Sequence, residues 1–600
     1  MLTLQPNVFH IELLLHTILN QYLYNSYCVT FVSEIPLDIN FSITFTCIVP
    51  DPENLTNQLL EVSEKGCSDY VVRMKEPQEF MNAYEKVNHL GNARRSDKKL
   101  IFLPFLEDDN TTNETISPLL NLLSMKETSF VANILLLIPS RETTAECKFY
   151  DIVTHKYVGP DKETNHPLYL DRWNSCTEKF VMNVNLFPHD MSNLYGKTVK
   201  VACFTYKPYV LLDLDTPTGR DGMELRIVEE FCRWVNCTME VVRNDAHEWG
   251  EIYDNQTGVG VLGNVLEDRA DLGITALYSW YEEYVVLDFS APCIRTAVTC
   301  VAPAPRLLAS WELPLMPFTW HMWIALIFTF LFSSVALIVV KGFSSKNVFI
   351  TTFGMMVTQC QPEVRADWRV RSITGWLLIT GLVFDNAYSG GLASTFTVPK
   401  YETSIDTVQD IVDRKMEWGA THDAWTFSIT LSTEPLIKQL VSQFKIYSAE
   451  ELKRKSFTRN MAFSIEKLPA GYFAVGEYIT KEAMLDLEIM LEDFYYEQCV
   501  VMLRKSSPYT SKISDLVGRL HESGLMLAWE TQVALKYLNY KVQLEVKLSR
   551  SRRDVDNIEP LSFRQVVGIF IIYLIGVSLS IVIFVAEMCI NDKNKKKLNQ

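Results

Sequence analysis

The residues best placed to do chemistry lie in an apolar stretch near the middle of the chain, and they indicate ion passage. The stretch covers residues 372–397, and about 20 predominantly apolar residues suffice to cross a bilayer. Its second half carries Asp385 and Asn386 and then a run of small residues that includes Gly390 and Gly391. Small residues let membrane helices approach closely, and polar groups at that depth usually face a bundle interior or a water-filled path. The pattern predicts a pore-lining helix that packs against copies of itself, with an ordinary packing helix as the alternative.

Composition argues against other kinds of chemistry. The ten histidines are dispersed, and neither HExxH nor GxSxG occurs, so the sequence gives no support to an enzyme. The thirteen cysteines form no CxxC pair, so we predict no metal site, and nothing indicates a cofactor. A net charge of −16 without a basic patch argues against nucleic acid. The spacing of Cys147 and Cys176 permits a disulfide but does not establish one.

Six glycosylation triplets give the best indication of compartment. All of them precede the first apolar span, which predicts a luminal or extracellular amino-terminal half. Their asparagines are Asn40, Asn54, Asn110, Asn113, Asn236 and Asn255. Residues 1–30 make a poor secretory signal because they lack a basic segment, so either the signal is atypical or the chain begins downstream of a longer native start.

Basic clusters set the predicted membrane topology. Residues 322–340 are uncharged and long enough to span, whereas residues 348–362 are apolar over too short a run and are predicted to re-enter. Basic residues then follow the first span, the re-entrant segment and the last span near 566–585. With three spans and one re-entrant loop, all of these clusters lie on the cytoplasmic side, as the positive-inside rule requires.

Two soluble blocks flank the channel segments, and both read as mixed helix and strand. In residues 196–305, Thr198–Cys203 reads as a strand and Gly222–Val235 as an amphipathic helix. In residues 398–560, Ser448–Lys455 reads as a helix and Met461–Glu466 as a strand. Both blocks lie on the outer side in this topology, which is the arrangement of one clamshell split by membrane segments.

Several motifs resemble those of ionotropic glutamate receptors. The run from Ala387 to Thr397 is similar to the family's SYTANLAAFLT gate, with identities at Tyr388, Leu392, Ala393 and Thr397. Upstream, Ala270–Thr275 and Asp288–Pro292 resemble the "ADIAIA" and "DFSxPF" motifs. The resemblance covers about residues 196–590, and it is closest to the divergent ionotropic receptors of insects, with the stretch 388–475 most like their cool-sensing branch.

This resemblance implies a periplasmic-binding-protein-like α/β clamshell split by an α-helical pore domain, after an α/β amino-terminal region. The predicted organisation is an extracellular amino-terminal region (1–195), a first ligand-binding lobe (196–305), a channel domain (306–397), a second lobe (398–560), a last span (561–590) and a cytoplasmic tail (591–600). Within the channel domain the segments are a span at 322–340, a re-entrant loop at 348–362 and a span at 372–397.

The resemblance also gives candidate ligand residues. Glu283 stands where the family has the arginine that holds a carboxylate, so glutamate is not expected as the ligand. Thr426 falls on the family's binding threonine, and Glu466 falls on the acidic residue that meets an ammonium group. The cleft therefore favours a small cation or amine, if it binds a ligand. The alternative is that Thr426 and Glu466 now serve the fold as a cap or a surface charge.

The pore loop and the gate follow from the same resemblance. Thr358, Gln359 and Gln361 fall near the selectivity position, where neutral oxygens can replace part of a cation's hydration shell. Glu363 adds charge there or is merely a cytoplasmic loop residue. The predicted gate consists of Ala387, Tyr388, Ser389, Gly390, Gly391, Leu392, Ala393, Ser394 and Thr395.

Together these patterns predict a subunit of a cation channel that acts in chemical, temperature or humidity sensing. We expect it in the plasma membrane of sensory neuron cilia or dendrites, in a heterotetramer with homologous co-receptor subunits. A non-conducting auxiliary subunit has the same fold and stays open as the alternative. A transporter is disfavoured because neither internal repeats nor broken midplane helices are seen.

Overall fold

The computed structural model gives the fold over most of the chain. It describes residues 10–37, 42–105, 112–140, 147–160, 165–253, 256–306, 312–341, 347–359, 367–397, 401–551 and 563–598. The chain forms two compact units: a first unit of Met1–Pro303 with Asp406–Ser549, and a second unit of Ala304–Ile405 with Arg550–Gln600.

Strands and helices are numbered here in chain order. The strands are β1 (Val29–Ser33), β2 (Phe45–Ile48), β3 (Asp69–Arg73), β4 (Lys99–Phe102), β5 (Asn133–Pro139), β6 (Phe149–His155), β7 (Pro167–Asn174), β8 (Lys179–Phe180), β9 (Thr198–Cys203), β10 (Thr238–Arg243), β11 (Leu272–Gly273), β12 (Leu287–Phe289), β13 (Ile294–Pro303), β14 (Glu417–Ala420), β15 (Phe444–Ile446), β16 (Met461–Lys467), β17 (Phe473–Ala474), β18 (Leu487–Ile489), β19 (Tyr495–Cys499) and β20 (Met502–Arg504).

The α-helices are α1 (His10–Tyr22), α2 (Leu55–Glu64), α3 (Pro77–Leu90), α4 (Thr112–Leu122), α5 (Met223–Val235), α6 (Gly260–Leu266), α7 (Tyr281–Val286), α8 (Trp320–Lys341), α9 (Val348–Met356), α10 (Trp368–Thr397), α11 (Val408–Asp413), α12 (Ala424–Thr430), α13 (Pro435–Ser442), α14 (Ala449–Lys455), α15 (Lys481–Met484), α16 (Thr510–Glu522), α17 (Leu525–Tyr537), α18 (Tyr540–Leu548) and α19 (Phe563–Leu598).

Apolar residues on both faces of the strands explain the amino-terminal sheet, which is covered on its two sides. Its eight strands lie in the order β2-β1-β3-β4-β5-β6-β7-β8, parallel up to β5 and antiparallel beyond it. Successive strand residues point to opposite faces, so Ile134 and Leu136 join the core under α2, α3 and α4 while Leu135 and Leu137 join the core under α1. The α/β character predicted for this region is confirmed.

Two further sheets complete the first unit. One has five strands in the order β10-β9-β11-β20-β12, and the other has seven, with the path β15-β14-β16-β13-β18 and with β17 on β16 and β19 on β13. We refer to them as the five-stranded and the seven-stranded sheet. Helices α16 and α17 pack on α5, beside the five-stranded sheet.

These sheets do not follow the limits predicted for the two lobes. Strand β13 lies in the block 196–305 but pairs with β16, whereas β20 lies in the block 398–560 but pairs with β11 and β12. Each sheet therefore draws strands from both blocks, because the chain crosses over before the channel segments and crosses back near residue 500. The division into domains stays a prediction.

Three disulfides lie in the first unit. They join Cys28 to Cys67, Cys147 to Cys176 and Cys232 to Cys237. The second of these joins Cys147 and Cys176, whose spacing in the sequence permits a disulfide but does not establish one. Disulfides persist in oxidising compartments, so all three agree with an extracellular first unit.

The second unit consists of long helices. Among the described residues, two segments are long and apolar enough to cross a membrane, Trp320–Val340 in α8 and Val566–Cys589 in α19. The predicted span 372–397 lies in α10, which is one continuous helix of 30 residues, but the polar and small residues of its second half lower its mean hydropathy. This span stays a prediction. The predicted re-entrant segment begins with α9, whose nine residues are too few to cross.

Candidate functional site

Glu466 is the centre of the candidate ligand site. It lies on β16, pairs with Val298 of β13, and is only 2% exposed. The hydroxyl of Tyr206 donates to its Oε1 at 3.1 Å, and that of Tyr209 donates to its Oε2 at 2.5 Å. Burial raises the pKa of Glu466 to about 7, and the tyrosine hydrogen bonds only partly offset that effect.

A tight turn after β9 brings Tyr206 and Tyr209 to Glu466. Tyr206 and Val210 form an antiparallel bridge, and so do Leu211 and Asp221. Gly222 has φ +142°, and a Cβ there would lie 2.3 Å from the carbonyl oxygen of Tyr209. Only glycine fits this approach, so the turn that positions Tyr209 depends on it.

Aromatic rings fill the space around this carboxyl. Tyr206 stacks on Tyr209 with 5.5 Å between the ring centroids, and Trp249 packs edge-on to Tyr206 at 5.3 Å. Trp249 also contacts His422 at 5.7 Å and Trp425 at 6.4 Å, both from the segment that follows β14. These rings join elements of the five-stranded sheet to elements of the seven-stranded sheet.

Thr426 makes a local contact. Its Oγ1 donates to the carbonyl oxygen of Asp423 at 2.8 Å in the first turn of α12, and the residue is buried. That is the cap-like contact weighed above as the alternative to ligand binding. Its ligand role stays a prediction.

Glu283 lies in the first turn of α7 and is 6% exposed. Burial raises its pKa to about 7. Within the part of the chain that the structure describes, no hydrogen bond or ion pair joins Glu283 to Thr426 or Glu466. The three predicted ligand residues are therefore not assembled into one hydrogen-bonded group.

Glu224 is a buried carboxyl that sequence reasoning missed. Its Oε2 accepts hydrogen bonds from the backbone N–H groups of Thr275 (2.6 Å) and Ala276 (3.0 Å), whereas its buried Oε1 has no hydrogen-bond partner. Thr275 has φ +104° and Ala276 has φ +48°, a left-handed conformation that is rare for a β-branched residue. Glu224 is thus a second buried carboxyl, and the residues that donate to it have strained backbone. Its position in an amphipathic helix did not indicate either feature.

Replacing Glu224 with Gln is expected to stabilise the first unit at alkaline pH. Burial raises the pKa of Glu224 from 4.5 to about 7, so between these values the folded chain binds more protons than the unfolded chain. Stability then falls as pH rises through this window, by on the order of 3 kcal/mol. The variant should lose that dependence.

The measurement is thermal unfolding of the full chain in detergent at pH 5.5 and pH 8. Glu230→Gln is the matched control, because Glu230 lies on the same helix, is half-buried and pairs with Arg233. An unchanged difference between the two pH values in Glu224→Gln would contradict the expected effect.

One cluster has the donor set of a metal site. Ligand atoms of Glu85, His89 and Asp268 all lie within 4.8 Å of one another. The guanidinium of Arg504, however, already pairs with Glu85 and, at 2.8 Å, with Asp268. Its positive charge takes the place that a cation would need, so we interpret the cluster as an ion-pair network.

The predicted gate lies within α10, and two of its residues pack on the segment before α8. The hydroxyl of Tyr388 donates to the carbonyl oxygen of Pro314 at 3.0 Å, and its ring lies 5.7 Å from Phe318. A Cβ on Gly391 would meet Cβ of Pro317 at 3.0 Å, whereas a Cβ on Gly390 would meet nothing within 4 Å.

The opposite side of α10 is exposed among the described residues of the second unit. From Asp385 onward its exposed residues recur at helical spacing and are small or polar, whereas Ile379, Leu382 and Val383 before them are large and apolar. The small or polar residues include Asn386, Ser389, Gly390, Ala393, Ser394 and Thr397. Of the other predicted gate residues, Ala387 is exposed and Thr395 is buried.

The predicted pore-loop residues follow α9. Thr358 Oγ1 lies 3.4 Å from a carboxylate oxygen of Asp385 on α10, and Gln359 is exposed. A Cβ on Gly381 of α10 would lie 2.5 Å from the carbonyl oxygen of Met355, so the two helices touch there. Gln361 and Glu363 lie outside the described residues.

Two of the six glycosylation candidates have described side chains, and both are exposed. Asn54 precedes α2, and Asn236 follows α5 in a left-handed conformation. Asn113 lies in α4, and Asn40, Asn110 and Asn255 lie outside the described residues. Glycosylation stays a prediction at all six.

Comparison with known proteins gives two matching families. The family "Ligand-gated ion channel" matches residues 319–577, and "Ligated ion channel L-glutamate- and glycine-binding site" matches residues 197–306. These ranges cover the cleft, α8–α10 and the start of the last helix.

Similar curated proteins include both glutamate receptors and insect ionotropic receptors. The kainate-type glutamate receptor glr-3 of Caenorhabditis elegans is 22% identical over 70% of this chain and 52% of its own length. Ionotropic receptor 21a of Drosophila melanogaster is 21% identical (81% and 60%), and that of Anopheles gambiae is 19% identical (82% and 55%). The chain thus spans about half to three-fifths of the length of these relatives. With the matching motifs and the two family matches, these similarities show that the chain belongs to the ligand-gated ion channels of the ionotropic glutamate receptor family and not to an enzyme family.

Proposed function

We propose that this chain is a subunit of a cation-permeable ionotropic receptor channel that acts in chemical, temperature or humidity sensing. The observation that carries the proposal is the exposed face of α10. Asn386, Ser389, Gly390 and Ala393 are spaced so that they lie on one side of the helix, and they are exposed in the part of the second unit that the structure describes. Polar groups at membrane depth are costly against lipid, so this face calls for other subunits or a water-filled path.

The placement of α9 supports a re-entrant pore loop. Its carboxyl end touches Gly381, which lies about 20 Å along α10 from Trp368 at 1.5 Å of rise per residue. The described chain resumes at Asp367, beside the beginning of α10, so the point that α9 reaches lies about 20 Å along α10 from where the chain resumes. A segment that enters the membrane and leaves it on the same side would place Thr358 and Gln359 near the middle of α10. In an assembly of several subunits this is the depth at which a selectivity filter needs neutral oxygens.

The seven-stranded sheet carries both connections to the channel segments. Strand β13 ends at Pro303, shortly before the second unit begins, and α11 begins at Val408, whose backbone N–H donates to Glu492 at 2.7 Å. The two linkers meet where the N–H of Glu402 donates to the carbonyl oxygen of Arg306 at 2.8 Å. In our proposal, closure of the two sheets of the clamshell pulls on these linkers and tilts α10 at its gate.

Partners and ligand follow from the same proposal. The exposed face of α10 fits assembly into a tetramer. In our proposal, in line with the similarity to insect ionotropic receptors, the other subunits are homologous co-receptors in the plasma membrane of sensory neurons. Glutamate does not fit as the ligand, because the acidic Glu283 stands where a carboxylate would need a cation.

Whole-cell current is the test of this proposal. The chain is expressed alone and with candidate co-receptor subunits, while small amines are applied and the temperature is stepped. We expect a cation current that requires this chain and at least one co-receptor. A surface-expressed chain that passes no current, but changes the current of co-receptors, would instead support the auxiliary-subunit alternative.

A further inference from the structure

Both oxygens of the carboxyl that the family resemblance reserves for a ligand ammonium already accept hydrogen bonds. Tyr206 donates to Oε1 of Glu466 at 3.1 Å, and Tyr209 donates to its Oε2 at 2.5 Å. A carboxylate has two oxygens that accept, and an ammonium group brings donors only. The two hydroxyls therefore compete with an ammonium group for the same oxygens.

The donors and the acceptor come from different sheets. Tyr206 and Tyr209 follow β9 of the five-stranded sheet, whereas Glu466 lies on β16 of the seven-stranded sheet. Hydrogen bonds to a charged acceptor are about twice as strong as those between neutral groups. The contact thus ties the two sheets together in the manner expected of a bound agonist.

Other contacts also join elements of the five-stranded sheet to elements of the seven-stranded sheet. Thr421 donates to Glu248 at 3.1 Å, and Lys207 pairs with Glu477 at 2.8 Å. Trp280 packs edge-on to Phe427 at 5.2 Å. Each of these pairs also joins elements of one sheet to elements of the other. The tyrosine contacts therefore belong to a larger set of contacts between the two sheets.

We propose that Tyr206 and Tyr209 act as an internal ligand of Glu466, which holds the two sheets together without a diffusible amine. This inference rests on the proposed function in treating the cleft as the gating module. It makes these tyrosines the residues that determine ligand specificity, because they exclude primary amines. Removal of their hydroxyls should open the site to small primary ammonium compounds.

Hydrogen exchange on the full chain in detergent tests the proposal. The main variant is Tyr206→Phe with Tyr209→Phe, which keeps both rings and removes only the hydroxyls. Tyr157→Phe is the control, since Tyr157 is buried like Tyr209 but its ring contacts His155 and His189 and not the surroundings of Glu466. The probes are ethylammonium and, as a cation without N–H donors, tetramethylammonium.

In the wild type we expect neither probe to change exchange over residues 204–211 and 461–467. In the double variant exchange there should be faster by roughly a hundredfold, because each of the two lost hydrogen bonds to a charged group accounts for about a factor of ten. Ethylammonium should restore slow exchange, tetramethylammonium should not, and the control should match the wild type.

Two results would overturn the proposal: wild-type protein whose cleft is further protected by ethylammonium, or a double variant that exchanges like the wild type. If the double variant unfolds globally, Glu466→Gln with the tyrosines intact replaces it and should also speed exchange. The readout needs no current. A chain that never conducts but shows the expected exchange would reject the channel function alone, and a conducting chain with an amine-responsive wild-type cleft would reject the internal ligand alone.

Discussion

Replacing Arg504 with alanine is expected to destabilise the first unit by about 3–5 kcal/mol, the usual cost of leaving buried charges without their partner. Arg504 lies on β20, with only 10% of its side chain exposed. It pairs with Glu85 of α3 and with Asp268 of the turn after α6, and its guanidinium carbon lies 3.9 Å from the ring centroid of Phe130.

The electrostatics explain the size of this effect. Burial alone would raise the pKa of Glu85, but His89 and Arg504 lower it below its ordinary value. Burial raises the pKa of Asp268 even in the presence of Arg504. Without the arginine Asp268 would be buried without its ion-pair partner and Glu85 would keep only His89. The contact between α3 and the five-stranded sheet would lose the Arg504–Glu85 pair and keep Arg94–Asp288.

Hydrogen exchange of the full chain in detergent measures this loss, over residues 80–95 and 264–272. Arg454→Ala is the control, because Arg454 is 78% exposed and its pair with Glu451 should contribute within about 0.5 kcal/mol. Adding Asp268→Asn to Arg504→Ala should recover part of the loss by removing one unpaired charge. Exchange in Arg504→Ala equal to that in Arg454→Ala would contradict the role given to this network.

Replacing Gly391 with valine is expected to abolish or strongly reduce the current of the assembled channel. Even one methyl group at this position would lie 3.0 Å from Cβ of Pro317 and 3.4 Å from its backbone oxygen. The branched side chain would push the segment before α8 away from α10 and disturb the Tyr388 hydrogen bond to Pro314. Because this contact is inside the predicted gate, the displaced helix should no longer reach its conducting position.

Gly375→Val is the matched control on the same helix, because an added Cβ at Gly375 meets nothing within 4 Å and Gly375 lies outside the predicted gate. Both changes remove a glycine from a helix interior, so their effect on helix propensity is the same. Surface labelling must show equal amounts of both variants. Equal loss of current in both would mean that α10 itself, and not its contact with Pro317, limits the gate, while full current in Gly391→Val would contradict the predicted gate position.

Local patterns predicted the elements of this fold well. The strand Thr198–Cys203 has the bounds that were expected, and the helix expected from Ser448 begins at Ala449 because the Ser448 side chain accepts a hydrogen bond from the N–H of Glu451. Such features depend on residues a few positions apart, so the sequence contains them directly.

Contacts between distant residues could not be predicted in this way. Tyr206 and Tyr209 meet Glu466 across more than 250 positions of chain, and β20 returns to the five-stranded sheet only after the channel segments. Neither the helical nor the strand period of the sequence indicates which distant residues pair. The nearest signal was the aromatic pair Tyr206 and Tyr209 directly after a predicted strand, but an aromatic there is equally compatible with an ordinary core.

The most direct test of the channel account is the reversal potential of the heteromeric current when Gln359 is replaced with lysine. Gln359 is exposed shortly after the end of α9, and a positive charge in a cation path repels divalent ions most strongly. We predict a lower permeability to calcium relative to sodium in Gln359→Lys and a higher one in Gln359→Glu, with equal surface expression. A reversal potential that neither substitution shifts would contradict the claim that this chain lines the conducting path.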